Sequence, residues 1–137
     1  MTDVHSTQTR AKNMSAIKSK GNKSTEIAVL ELFRSNRIQG WRRHSKKVYG
    51  TPDFSFSSKK LAVFIDGCFW HRCPTCFKLP KSNTEFWENK IANNVKRDHI
   101  VNKMLAGRNW EIIRIWEHEI KKCPQDVLSK IIHAVSK

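Results

Sequence analysis

The sequence has 137 residues, which is the length of one domain with one modest hydrophobic core. Its 26 lysines and arginines outnumber 12 aspartates and glutamates, and the net charge of +14 favours a polyanionic partner such as nucleic acid or an anionic membrane surface. Five tryptophans and seven phenylalanines exclude a wholly disordered basic chain, because such chains lack large apolar side chains.

Residues 1–23 form a polar, basic segment with few apolar side chains, among them Met14. Arg10, Lys12 and three further lysines give this segment its positive charge. A solvated tail is one interpretation, and an arm that becomes ordered on DNA is the other. We favour the arm because its charge has the same sign as that of the rest of the chain, and we place one domain at residues 24–137.

The first half of this domain is predicted to be one helix followed by three strands. The helix spans residues 24–35, because Ile27, Leu30 and Phe33 recur on one face. The strands are an edge or amphipathic strand at 39–48, an alternating strand at 53–56 and a buried central strand at 61–65, with turns at 49–52 and 57–60.

The second half is predicted to contain an irregular loop, a long helix, a strand and a closing helix. Ser82 and Glu85 have the spacing of a capping box that starts the long helix, and Gly107 ends it. The other elements are the loop at 67–81, the strand at 110–116 and the helix at 124–135. The order helix, three strands, helix, strand, helix predicts an α/β domain with a small mixed sheet.

Two carboxylates flank the predicted hairpin. Asp53 begins one strand and Asp66 follows the next, so strand pairing would bring both to one edge of the sheet. Carboxylates placed there suit Mg²⁺, which prefers hard oxygen ligands and keeps waters for substrate phosphates. Turn chemistry is the alternative, with Asp53 capping a turn after Pro52 and Asp66 forming a turn with Gly67. Spacing alone leaves both interpretations open.

Three cysteines lie within nine residues, at Cys68, Cys73 and Cys76. In a reducing compartment this clustering favours a metal site over disulfides, and the last two have the knuckle spacing that holds one tetrahedral ion. Buried thiols without a metal are the alternative. The candidates for a fourth ligand are His71, His118 and Cys123.

Two pairs of adjacent aromatic residues stand out, Phe69-Trp70 and Phe86-Trp87. Helical neighbours point about 100° apart, so we expect each pair to turn one ring inward and one outward. Outward rings on a basic surface suit base stacking or wedging between base pairs. An ordinary core position is the alternative, and we favour it for Phe86.

A histidine and an aspartate are candidates for acid–base chemistry. Val95 and Val101, three residues to either side of Asp98, place that carboxylate near the inward face of the long helix. A carboxylate can hold the imidazole of His71 in one tautomer, as a general base requires. Zinc ligation is the alternative role for this histidine.

These segments together resemble the very short patch repair (Vsr) endonucleases over nearly the whole chain. The most specific match is residues 64–71, Phe-Ile-Asp-Gly-Cys-Phe-Trp-His. The other matches follow in the order of the family, at 10–17, Glu26, 50–54, 84–87, 94–98 and 115–117.

The resemblance implies a restriction-endonuclease-like fold with a structural zinc. It also implies a Mg²⁺-dependent nick in one strand of duplex DNA, beside the thymine of a T·G mispair left by deamination of 5-methylcytosine. By matching position, it implies Asp53 and the backbone carbonyl of Ile65 as Mg²⁺ ligands, His71 as general base held by Asp98, and Glu26 as support for the water network.

For DNA, the resemblance implies an aromatic wedge beside the mismatch and a basic arm that closes on the other groove. The wedge consists of Phe69, Trp70 and Trp87, and the arm contributes Met14 with its neighbours Arg10 and Lys12. For zinc, it implies the ligands Cys68, Cys73, Cys76 and His118.

The chain departs from the best-known family pattern at several site positions. Asp66 stands where that pattern has histidine, which adds a candidate metal ligand and catalytic group and removes one cationic phosphate contact. In the zinc set, Cys73 replaces a histidine, Cys76 is shifted by one residue and His118 replaces a cysteine, so the implied set remains three cysteines and one histidine.

Two alternatives remain beside the mismatch endonuclease: a restriction-like endonuclease without strict T·G specificity, and a catalytically silent, zinc-stabilised DNA-binding protein. Joint retention of Asp53, His71 and Asp98 argues against the silent protein, because binding alone requires none of them. The expected partner is mismatched double-stranded DNA bound by a monomer, with a mismatch-repair protein as a candidate second partner.

We expect a bacterial cytoplasmic protein that acts at the nucleoid and has no membrane partner. The longest apolar run, residues 61–65, falls far short of the about 20 residues that a membrane-spanning helix needs. The first ten residues contain no apolar signal segment.

Overall fold

The computed structural model describes residues 24–137, which form a four-stranded mixed sheet with helices packed on its two faces. This agrees with the predicted α/β class. In chain order the elements are α1 (described over 24–35), β1 (Arg42–Arg43), β2 (Phe54–Phe56), a 3₁₀ turn (Ser57–Lys59), β3 (Leu61–Asp66), α2 (Thr84–Gly107), β4 (Glu111–Trp116), α3 (Glu117–Lys122) and α4 (Pro124–Val135).

The strand order in the sheet is β1-β2-β3-β4. The pairs β1–β2 and β2–β3 are antiparallel, whereas β4 runs parallel to β3 after a crossover through α2. The predicted edge strand at 39–48 is wrong in extent, because only Arg42–Arg43 pair with β2. Gly40 at φ 87° and His44 at φ 50° adopt left-handed backbone conformations on either side, and these interrupt an extended strand.

The alternation of β3 divides its side chains between two cores. Leu61, Val63 and Ile65 face the larger core, which α1, α3 and α4 cover. Ala62 and Phe64 face the smaller core, which is closed by Leu105 from α2. Because both faces of β3 are covered, its six residues are all buried, as the continuous apolar run predicts.

Two details of the helices differ from the prediction. The predicted capping box at Ser82 and Glu85 is wrong, because Asn83 is the N-cap of α2. Asn83 has a left-handed backbone conformation, and its side chain makes no capping hydrogen bond. The next residue, Thr84, donates its hydroxyl to the carbonyl oxygens of Pro80 and Lys81. The short helix α3 was not predicted. Its Glu119 carboxylate accepts a hydrogen bond from the Trp116 N–H at 3.1 Å, which caps the helix directly after β4.

Gly50 lets the turn before β2 pack against α2. Its backbone lies at φ 82°, and an added Cβ would stand 2.5 Å from a methyl group of Val101. Within residues 24–137, none of the helices combines the length and the apolar character that crossing a membrane requires.

Candidate active site and metal centre

Asp53 lies at the start of β2, directly beside the end of β3. Its Oδ2 accepts a hydrogen bond from the Ile65 N–H at 2.7 Å, so the two strand ends are joined by the carboxylate. Burial raises the pKa of Asp53, and the neighbouring Glu26 and Asp66 carboxylates raise it further, whereas the Ile65 N–H and His44 oppose the shift. A cation placed here would relieve the cost of ionising this carboxyl group.

Glu26 approaches Asp53 from α1 but is held by two basic side chains. Its Oε1 accepts hydrogen bonds from the Arg43 side chain at 2.8–2.9 Å and lies 2.8 Å from His44 Nε2. The same His44 nitrogen is 3.7 Å from Asp53 Oδ1, so the imidazole bridges the two carboxylates. The sequence reasoning missed Arg43 and His44, although a histidine in the strand predicted beside Asp53 was a usable signal.

His71 and Asp98 form the predicted pair. The Nδ1 atom of His71 donates to Asp98 Oδ2 at 2.5 Å and lies 3.8 Å from Asp66 Oδ1. Because Nδ1 faces two carboxylates, the proton resides on this nitrogen, and Nε2 remains as the acceptor. The two residues come from different elements, the loop after β3 and the middle of α2.

Asp66 belongs to this second group. The expectation that Asp53 and Asp66 lie at one sheet edge is correct, but their oxygens enter separate clusters. Both oxygens of Asp66 accept hydrogen bonds from Arg114 Nη1, at 3.0 and 3.2 Å, which leaves them poorly placed for Mg²⁺. Burial raises the pKa of Asp66, while His71 and Arg114 oppose the shift. Arg114 is a third residue that sequence reasoning missed.

A cleft of about 270 Å³ connects the two groups of carboxylates. Asp53, His71 and Asp98 all line this cleft. The other lining residues include Gly50, Thr51, Phe64, Ile65, Asp66, Arg97, Val101 and Arg114.

The three loop cysteines and His118 converge on one point. His118 Nδ1 lies 3.4 Å from Cys68 Sγ, 3.5 Å from Cys73 Sγ and 3.4 Å from Cys76 Sγ. Zinc bonds of about 2.3 Å to sulfur and 2.0–2.1 Å to nitrogen at tetrahedral angles set a nitrogen–sulfur distance of about 3.6 Å. The donor set and its spacing therefore fit zinc. Among the described residues, exposed Cys123 is not part of this group.

The thiols of the cluster differ in acidity. The pKa of Cys68 is raised to about 12, mainly by burial, so without a cation this thiol is protonated at neutral pH. Burial also opposes ionisation of Cys73, but hydrogen bonds from the hydroxyl and backbone of Thr75, the backbone of Cys76 and the Cys68 side chain together lower the pKa of Cys73. A bound metal favours the thiolate at every position, since the thiolate is the ligand.

The aromatic residues correct one expectation. Trp70 is 4% exposed and Trp87 is fully buried, so neither ring turns outward in the DNA-free chain. They pack with Ile91 in a small core, at ring-centre distances of 5.3–6.0 Å between Phe69, Trp70 and Trp87. Each pair does turn one ring inward and one outward, and the outward rings are Phe69, which is partly exposed, and Phe86, which is 38% exposed. The core position predicted for Phe86 is therefore wrong, because Trp87 occupies the inward face of α2 instead.

Helix phase explains the burial of Trp87. It lies four residues before Ile91 on α2, so both side chains face the loop that carries the cysteines. The predicted DNA contacts Arg10, Lys12 and Met14 lie outside the described residues.

Comparison with known proteins adds independent information. The model of the family described as DNA mismatch endonuclease Vsr matches residues 2–76, a range that includes Asp53, His71 and the three loop cysteines. The chain is 39% identical to the Type II nicking enzyme V.NaeI of Lentzea aerocolonigenes over 113 residues, which are 80% of this chain and 68% of the relative.

Two further relatives cover more of the chain. The Type II nicking enzyme V.NmeDIP of Neisseria meningitidis serogroup C is 36% identical over 128 residues, or 92% of this chain and 85% of the relative. The DNA mismatch endonuclease Vsr of Escherichia coli strain K12 is 35% identical over 122 residues, or 85% of this chain and 74% of the relative.

Proposed function

Because this chain belongs to the Vsr family of DNA endonucleases, we propose that it makes a Mg²⁺-dependent nick in one strand of duplex DNA, next to the thymine of a T·G mismatch. The observation that carries the proposal is the cleft in which Asp53 faces the His71–Asp98 pair. A carboxylate that gains from a cation and an imidazole held in one tautomer are the two groups that phosphodiester hydrolysis requires.

Asp53 and the backbone carbonyl of Ile65 would hold Mg²⁺. The fit rests on the donor set: the Asp53 carboxylate lies against the backbone of Ile65, whose N–H donates to it at 2.7 Å, and both residues line the cleft. The raised pKa of Asp53 agrees with this, because a divalent cation would offset the burial and the repulsion from Glu26 and Asp66. Mg²⁺ supplies charge neutralisation at the scissile phosphate.

His71 acts as the general base. Its Nε2 takes a proton from the attacking water while the new bond to phosphorus forms and the bond to the leaving sugar oxygen breaks, and the leaving oxygen gains a proton from solvent. Asp98 stabilises the resulting imidazolium through the Nδ1–H. Glu26 and Asp66 act indirectly, Glu26 on the waters near Asp53 and Asp66 on the position of His71.

Zinc has a structural role in this proposal. Cys68, Cys73, Cys76 and His118 join the loop after β3 to the start of α3. That loop also carries His71 and Phe69, so a closed tetrahedral site fixes both the base and the DNA-facing ring.

Mismatch recognition is proposed to use Phe69 as the leading ring of the wedge, with Trp70 and Trp87 packed behind it. Unstacking a mismatch costs less than unstacking a paired step, so a wedge favours the mismatched site. Phosphate contacts from the basic chain, including Arg10 and Lys12 beside Met14, add affinity that is independent of sequence. We propose a monomer that acts on nucleoid DNA in the bacterial cytoplasm.

The experiment is a nicking assay with Mg²⁺ on duplexes that contain each mispair in randomised flanking sequence. Selective cleavage beside the thymine of T·G supports the proposal. Comparable cleavage of all mispairs or of matched duplex indicates a relaxed endonuclease, and binding without cleavage indicates a silent DNA-binding protein.

A further inference from the structure

Arg114, in the middle of β4, contacts both β3 and α2, the elements that supply the two carboxylates beside His71. It is opposite Phe64 in the parallel β3–β4 ladder, and its guanidinium carbon lies 4.3 Å from the centre of that ring. From this position its Nη1 donates to both oxygens of Asp66. The side chain is thus fixed by the sheet on one side and by a buried carboxylate on the other.

The same guanidinium also binds α2. Its Nε donates to Asn102 Oδ1 at 2.8 Å, and its Nη2 donates to the backbone carbonyl of Asp98 at 3.5 Å. Its Nη1 is 3.6 Å from Asp98 Oδ1, the carboxylate oxygen that does not accept from His71. Asp98 and Asn102 are one helical turn apart, so Arg114 fixes the position of this turn of α2 against the sheet.

His71 depends on this arrangement because its Nδ1 faces the two carboxylates that Arg114 binds. Asp98 Oδ2 accepts from Nδ1, and Asp66 Oδ1 is 3.8 Å away. Without a cation between them, the two carboxylates would repel each other, and each could compete for the imidazole proton. The planar fork of arginine can separate and neutralise both at once, which the point charge of lysine cannot do.

We propose that Arg114 is a positioning residue for catalysis, which holds Asp66 and Asp98 so that His71 keeps its proton on Nδ1 and presents Nε2 to the cleft. The Asp66–Arg114 pair also accounts for how this chain accommodates a carboxylate at position 66, where it departs from the best-known family pattern. The inference rests on the proposed function of His71 as general base.

The test compares Arg114→Gln and Arg114→Lys with the wild-type chain, all with zinc bound. Arg108→Gln is the matched control, because it removes the same charge from an exposed site at the end of α2. Three quantities are measured: the single-turnover nicking rate on a T·G duplex, the Kd for that duplex without Mg²⁺, and the tautomer of ¹⁵N-labelled His71 at one fixed pH.

We expect Arg114→Gln to lower the single-turnover rate about 10–100-fold, the usual cost of losing a residue that orients a functional side chain. The Kd should change no more than in Arg108→Gln, His71 should become a mixture of tautomers, and Arg114→Lys should be intermediate. If Arg114→Gln does not fold, Arg114→Lys provides the tautomer measurement, because it keeps a cation beside Asp66 but cannot bind both carboxylates at once.

If His71 keeps the wild-type tautomer in the variants, the inference is overturned, whether the nicking rate falls or not. A fall in rate without a change of tautomer would reflect general destabilisation. If the wild-type chain fails to nick the T·G duplex, the proposed function fails, and the tautomer comparison still decides the role of Arg114.

Discussion

The two candidate metal sites differ in what their ligand atoms already contact. In the cysteine cluster, three sulfurs surround His118 Nδ1 at 3.4–3.5 Å, and all four atoms converge on one point. In the cleft, Asp53 is bound by a backbone N–H on one oxygen, while the carboxylates around it are held by arginine and histidine side chains.

This difference matches the structural role that we propose for the cysteine cluster and the reactive role that we propose for the cleft. A closed tetrahedral set of four ligands has no position left for substrate. A cleft in which Asp53 accepts a backbone hydrogen bond on one oxygen leaves the other oxygen, and room for waters and phosphate oxygens. The loop after β3 connects the two sites, because His71 lies between Cys68 and Cys73 in this loop. Loss of the first site should therefore destabilise the fold, and loss of the second should impair chemistry without destabilising the fold.

The largest expected effect is on the closed site. His118→Ala removes one of four ligands, so we expect loss of zinc and a fall of several kcal/mol in the free energy of unfolding, a part of the about 10–16 kcal/mol that structural zinc supplies in small peptides. Metal analysis and thermal melting measure both quantities. Cys123→Ser is the matched control and should keep one zinc per chain. If Cys123→Ser loses zinc and His118→Ala retains it, Cys123 and not His118 is the fourth zinc ligand.

Asp53→Asn should affect activity and stability in opposite directions. Nicking should fall at least about 10³-fold, because several kcal/mol of charge stabilisation are lost and each 1.4 kcal/mol is tenfold in rate. The melting temperature without Mg²⁺ should rise at neutral pH. The pKa of the Asp53 carboxyl group is higher in the folded chain than in the unfolded chain. The folded chain is therefore most stable at a pH below the unfolded pKa, and it loses stability as the pH rises through the folded pKa. A neutral amide is not ionised at any of these pH values, so it removes the cost of ionising the buried carboxyl group.

The control for this change is Asp126→Asn, which alters an exposed aspartate in the first turn of α4. It should leave nicking unchanged and should not raise the melting temperature. Wild-type nicking by Asp53→Asn would remove Asp53 from the Mg²⁺ site.

His71→Ala tests the proposed general base without removing a proposed ligand of either metal site. The nicking rate should fall about 10²–10⁴-fold, the range for a general base, while zinc content and affinity for the T·G duplex remain near those of the wild type. His99→Ala, at an exposed position of α2 next to Asp98, is the control and should be fully active. Equal losses in the two variants would point to a general electrostatic effect.

The smallest expected effect concerns recognition. Phe69→Ala should reduce the preference for T·G over matched duplex by about tenfold, within the 1–3 kcal/mol that a stacked aromatic contributes. Phe86→Ala removes an exposed ring outside the proposed wedge and should preserve the preference. Trp70 is unsuited to this test, because alanine at a buried tryptophan costs about 3–5 kcal/mol of stability. Unchanged preference in Phe69→Ala would exclude its role in the wedge.

The sequence predicted those parts of the site that follow from local pattern. The alternating pattern of β2, the apolar run of β3 and the turn between these strands predicted a hairpin. This pairing brought Asp53 and Asp66 to one edge of the sheet. The valines around Asp98 indicated its inward face, and resemblance to the Vsr family paired it with His71. These features depend on spacing along one element or on motifs that the sequence displays directly.

Features that depend on how elements pack were missed. His44 and Arg114 acquire their roles only when β1 lies beside β2 and β4 beside β3, and an isolated arginine in a strand carries no sign of its partner. The phase of α2 decided whether Phe86 or Trp87 is buried, and the spacing of Trp87 to Ile91 was the signal available. The short α3 depends on the cap that Glu119 provides.

The most direct test of the division between the two sites is a nicking assay on a T·G duplex in which Mg²⁺ is titrated while zinc per chain is measured. Zinc should stay at one per chain throughout, and nicking beside the thymine should begin only when Mg²⁺ is added. Nicking that proceeds without Mg²⁺ and follows zinc content instead would contradict the account, because the cysteine cluster would then take part in the chemistry.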